Sequence, residues 1–103
     1  MVTYKIEGFS GTMSFTGTNV EVMSGFFKLI VTANGIEYQI DVPAKMTAAS
    51  DIYEKRLEVY APQLPTGVSI RADQLQAALS GYFFAFLNDD ESLREYRNHG
   101  QFD

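Results

Sequence analysis

The sequence predicts an α+β domain: an antiparallel β-meander of four to five strands packed against a C-terminal helix at about 74–87, with a short second helix at about 90–98. Three observations carry this. Apolar and polar residues alternate with period two through the N-terminal half. Asn34-Gly35 stands between two β-rich runs. From Leu75 onward the apolar residues recur at helical spacing.

Val2, Tyr4 and Ile6 alternate with Thr3, Lys5 and Glu7, which predicts a strand with one buried face. Gly8-Phe9-Ser10-Gly11 supplies a turn, after which Met13 and Phe15 alternate with Thr12, Ser14 and Thr16 in a second strand. Gly17-Thr18-Asn19 is the next turn. Val20 and Val22 begin a third strand, and Gly25 inside it marks a bulge or bend.

The hairpin at Asn34-Gly35 is the strongest local signal, because both central residues of a type I′ turn need φ > 0. A two-residue loop there fixes the register by counting. Val31 faces Tyr38, Leu29 faces Ile40 and Phe27 faces Val42 on one side of the sheet; Thr32/Glu37, Ile30/Gln39 and Lys28/Asp41 lie on the other. The first set is a core face and the second is wet. A slip of one residue would mix them, so the pattern itself pins the pairing. Pro43 is expected to end the ladder by removing a donor, and 44–50 to be a loop. Residues 51–60 are open to helix or strand; the favoured reading is a short helix or turn at 51–55, since Asp51 and Glu54 have capping-box spacing. A strand follows at 56–60. Pro62, Pro65 and Gly67 then break the chain.

Asp73 is the expected N-cap of the long helix. Leu75, Leu79, Tyr82, Phe83 and Phe86 form its apolar stripe, and Ala78, Gly81 and Ala85 flank the stripe with small side chains that let a neighbour approach. Ala77 and Phe84 fall opposite. A helix with a ring on its back needs something to cover it, and the tail is one candidate. Asp89-Asp90-Glu91 places negative charge at the start of the second helix, Leu93 and Tyr96 share a face that could dock on Phe84, and Gly100 suits a helix C-terminus.

Composition narrows the function. The chain has 103 residues, 46% hydrophobic and 14% aromatic, enough for one core without metal or disulfide staples. Cysteine is absent, which removes disulfides, thiol catalysis and thiolate metal sites and leans toward a reducing compartment. The N-terminus has no apolar run of signal-peptide length, and the longest apolar stretch, Leu75 to Leu87, is well short of the roughly 20 residues a span needs; a cytoplasmic protein with no membrane contact is expected. The net charge of −5 offers no basic stripe for phosphate, so direct nucleic-acid binding is not expected. The C-terminal half holds most of the excess acid, netting −4 against −1 for residues 1–50.

No residue set carries catalysis. His99, the single histidine, lies near the end of the chain in a segment expected to fray, with no third group to hold it as a base. The carboxylates of 89–91 are explained as helix-start charge and Glu54/Glu58 as an exposed face, so no metal or cofactor is expected. The glycines of 8–11 precede a strand and do not form a phosphate loop. What remains is a non-catalytic module that binds a protein partner through an acidic and aromatic surface: Phe84, Asp89, Asp90, Glu91, Glu95 and Tyr96. A small phage-type inhibitor of a nucleic-acid-processing complex, its carboxylates standing where phosphates would sit, is one form of this. The alternative is a homo-oligomer joined through the apolar helix at Ala77, Gly81 and Phe84, and a less favoured one a ligand carrier or enzyme with a pocket under Tyr82 and Phe86.

Overall fold

A computed structural model describes residues 2–15, 20–49, 54–87 and 91–102. The elements are β1 (Val2–Phe15), β2 (Val20–Ala33), β3 (Ile36–Ala49), β4 (Glu54–Val59), α1 (Ala72–Leu87), α2 (Glu91–Arg97) and β5 (His99–Phe102). The five strands form one antiparallel sheet in the order β4-β3-β2-β1-β5. The α+β class, the antiparallel meander and the two C-terminal helices are as the sequence predicts. Among the described residues no helix is long and apolar enough to cross a membrane.

The β2–β3 hairpin has the register counted from the turn. Val31 pairs Tyr38, Leu29 pairs Ile40, Phe27 pairs Val42, and Lys28 stands opposite Asp41. Asn34 and Gly35 have φ of 53° and 79°, as a type I′ turn demands. The inward set is the centre of the core: Phe27, Leu29, Val31, Ile40 and Val42 are all fully buried, joined by Ile6 from β1 and Ala44 and Met46 from β3.

Two turn or loop assignments are overturned, each because a strand tolerates what the sequence offered as a breaker. Residues 8–11 are no turn: β1 runs unbroken, with a bulge between Ile6 and Gly8. The inserted residue explains why the apolar positions change parity, from Val2, Tyr4 and Ile6 before it to Phe9 and Met13 after. Gly25 marks close approach and no bulge. It pairs with Gly11, and a Cβ on Gly25 would overlap the Ser10 carbonyl and the Gly11 backbone.

Pro43 does not end β3. It pairs with Phe26 and the ladder continues to Ala49, so 44–49 are strand and no loop. Counting from the hydrogen-bonded Ala33/Ile36 pair, Pro43 sits at a non-hydrogen-bonded position opposite β2. Its missing N–H would have pointed toward β4, where the paired residues stop at Val59, while its carbonyl still accepts from the Tyr60 N–H at 2.9 Å. Strand β4 likewise begins at Glu54, within the segment expected to be helix or turn; residues 51–53 lie outside the described residues.

Beyond β4, a turn at Pro65–Val68 closes with Val68 N–H donating to the Pro65 carbonyl at 3.1 Å, with Gly67 at φ 89°. Helix α1 starts one residue before Asp73, with Leu75 N–H bonded to the Arg71 carbonyl. Asp73 is therefore a first-turn residue and not the N-cap. Its carboxylate takes both arms of the Arg71 guanidinium, at 2.7 and 3.1 Å, while favouring the positive end of the helix.

Leu75, Leu79 and Phe83 bury the inner stripe of α1 against the sheet. Phe83 and Tyr82 meet Phe27 edge-on, with centroids 6.0 and 6.4 Å apart, and Phe9 fills the remaining side. At 1.5 Å per residue α1 covers about 24 Å, roughly half the length of a 14-residue strand.

The tail holds the largest correction. Residues 99–102 neither fray nor end a helix: they form β5, paired with Val2–Lys5 of β1. Gly100 lies under the Tyr4 ring, where a Cβ would come within 2.8 Å of the phenol oxygen. Phe102 is buried and stacks on the other part of Tyr4, 4.4 Å between centroids at 23°.

Candidate functional site

The small flank of α1 positions α2. Gly81 leaves room for the Arg97 side chain, whose Nη1 donates to the Gly81 carbonyl at 3.1 Å, and a Cβ at Gly81 would meet only Arg97 Cδ. Ala85, on the same flank, is fully buried. The small residues thus admit a neighbour, as their pattern suggests, and that neighbour is α2. Phe84 stays 59% exposed and Tyr96 78% exposed, so the greater part of both rings is left open. Arg97 anchors α2 beside Gly81, about 60° around the helix from Phe84.

Ala77, Gly81 and Phe84 follow one another at i, i+4 and i+7 along one side of α1. Tyr96 lies beside Ala77 and Gly81, and the same side opens into a shallow cleft of about 300 Å³ between Tyr4, Gly81, Tyr96, Arg97 and His99. Burial raises the Tyr4 phenol above its ordinary pKa. His99 is exposed, with Nδ1 2.8 Å from the Asn98 side-chain oxygen.

The predicted partner-binding residues therefore separate. Phe84 and Tyr96 belong to the back of α1 and the mouth of the cleft. Glu91 and Glu95 are exposed one turn apart on α2, about 140° and 100° around that helix from Tyr96. Asp89 and Asp90 lie outside the described residues. Tyr4 is among the tyrosines that the sequence offers as surface candidates, but its meeting with Arg97 is not legible there, because β5 brings Tyr4 to the cleft from the opposite end of the chain.

A second constellation lies on the other flank of α1. The Gln76 amide accepts from Val59 N–H at 3.2 Å and donates to the Leu57 carbonyl at 3.1 Å and to Ser80 Oγ at 2.9 Å. It thus replaces a missing sixth strand along part of the β4 edge. Nearby, the Tyr60 hydroxyl donates to Glu58 at 2.8 Å, a bond that holds the phenol above its ordinary pKa. Among the described residues no group of three or more metal-ligating side chains converges. Phe27 meets the Tyr82 ring edge-on, 6.4 Å between centroids.

Comparison with protein families, with curated proteins and with solved structures gave no match.

Proposed function

We propose that this chain is a small non-catalytic interaction module that binds a protein partner through the back of α1 and through α2. Phe84 and Tyr96 are its anchors, and Glu91 and Glu95 its polar rim. The observation that carries the reading is the pair of large rings left more than half exposed on these two helices, 59% and 78%. Aromatic side chains in such positions are the residue type on which binding energy concentrates, while charged side chains around them steer the encounter. The −5 net charge and the exposed acids of α2 favour a basic partner surface, as on an enzyme that handles nucleic acid, with this chain as its inhibitor or regulator. The absence of cysteine suits a cytoplasmic setting.

The test uses cross-linking in the native host followed by recovery of the tagged chain. Wild type retains one specific partner, the Phe84→Ser/Tyr96→Ser variant loses it with an unchanged circular dichroism spectrum, and Glu91→Lys/Glu95→Lys weakens it. Equal recovery with all three chains would reject this surface.

A further inference from the structure

The two edges of the sheet are treated differently. Along β4, Leu57 and Val59 turn their backbone groups away from β3, and Gln76 takes both the Leu57 carbonyl and the Val59 N–H. The strand also carries Lys55, Arg56 and Glu58. Charge and capping are the usual means by which an edge is closed to other strands.

The β1 edge has neither beyond its first residues. β5 covers Val2–Lys5, and the Asn98 carbonyl takes the Ile6 N–H. The alternation that starts at Ala33/Ile36 makes Lys28/Asp41 a non-hydrogen-bonded pair, so the Lys28 backbone faces β1 and bonds Gly8. By the same count Ser10, Thr12 and Ser14 bond β2, while Phe9, Gly11, Met13 and Phe15 turn their N–H and C=O groups outward. Among the described residues no backbone group pairs with them. From Gly8 to Phe15 there is no charge and no proline, and Ser10, Gly11 and Thr12 are exposed.

We propose that this edge binds a second copy of the chain, β1 against β1 and antiparallel, about a two-fold axis at Thr12, joining two five-stranded sheets into one. This interface is separate from the helical surface above and does not depend on it. The register is dictated by the outward groups. A two-fold at Thr12 sets Gly11 opposite the partner's Met13 and Phe9 opposite the partner's Phe15, so every outward-facing residue meets another. Centred on Gly11, the axis would send Phe15 to Glu7 in the bulge.

The side chains suit the same axis. Thr12 meets its own copy at a non-hydrogen-bonded site, a favourable cross-strand pair, and Ser10 stands at the register position opposite Ser14 of the partner subunit. A second copy is the occupant because residues 9–15 read Phe-Ser-Gly-Thr-Met-Ser-Phe, a stretch that matches itself under the two-fold and carries no charge to oppose the approach of two chains of net charge −5.

The lack of cysteine makes the test clean. Thr12→Cys is expected to form a disulfide-linked dimer under mild oxidation, since its Cα would lie within disulfide reach of its own copy. Ser10→Cys and Ser14→Cys should not cross-link alone but should do so when mixed. Thr12→Lys should convert the wild-type dimer seen by sedimentation into a monomer with an unchanged circular dichroism spectrum. A wild type that stays monomeric at millimolar concentration overturns the proposal. So does a dimer that survives Thr12→Lys, or Thr12→Cys cross-linking no faster than Thr32→Cys on the sheet interior.

Discussion

Gln76 is the most economical place to test how the sheet is finished. Its amide serves two backbone groups that would otherwise be an open edge, the Val59 N–H at 3.2 Å and the Leu57 carbonyl at 3.1 Å. Both residues are half-buried. An intramolecular hydrogen bond contributes about 0.5–1.5 kcal/mol net, and water replaces it only in part where access is restricted. Gln76→Ala should therefore cost about 1–3 kcal/mol for these two bonds. For a domain of this size each kcal/mol moves Tm by roughly 4–8 °C. Gln76→Glu separates the two bonds: the carboxylate still accepts from Val59 but cannot donate to Leu57. Urea denaturation measures the loss, and amide exchange at Val59 locates it. The alanine variant should shift the midpoint without changing the slope and should speed exchange at Val59 while leaving Leu29 protected. An unchanged midpoint, or a Val59 amide that already exchanges freely in wild type, would refute the argument that Gln76 closes this edge.

Three other outcomes follow from the same geometry. Phe102→Ala removes a buried ring stacked on Tyr4 and should cost about 3–5 kcal/mol, with amide exchange showing β5 released first. Gly25→Ala drives a Cβ into the Ser10 carbonyl and should destabilise by more than the 1 kcal/mol by which alanine normally improves on glycine inside a strand, whereas Gly35→Asn, at a turn position asparagine tolerates, should stay within about 1 kcal/mol of wild type by the same denaturation assay. The Tyr4 phenol is raised by burial, so the native state disfavours its ionised form. Stability linked to it is constant below the unfolded tyrosine pKa of about 10 and falls as pH rises above that; a titration in which Tyr4→Phe keeps the same alkaline slope would contradict this.

The inner face of the hairpin was fully legible. Phe27, Leu29, Val31, Ile40 and Val42 follow from alternation and from one Asn-Gly turn, because a strand's period is two and a two-residue loop leaves no freedom of register. The stripe of α1 and the small flank that receives α2 were legible for the same reason: both are periodic. Phe84 and Tyr96 were legible as candidate surface rings, but how far the tail covers Phe84 was not, since that depends on contacts between α1 and a segment whose placement no local pattern sets.

What the amino-acid sequence determined by itself is therefore local and periodic: the class of fold, the hairpin with its register, and the inward stripe of the long helix. Tertiary structure decided everything set by partners distant in the chain. It carried β1 through its glycines by a bulge, let β3 pass Pro43 at a position where no donor is needed, and turned His99–Phe102 into a strand because Tyr4 offers a ring to cover Gly100 and stack on Phe102. Glycine and proline break strands when no neighbour compensates for them. Here the neighbours do, and no local pattern records that.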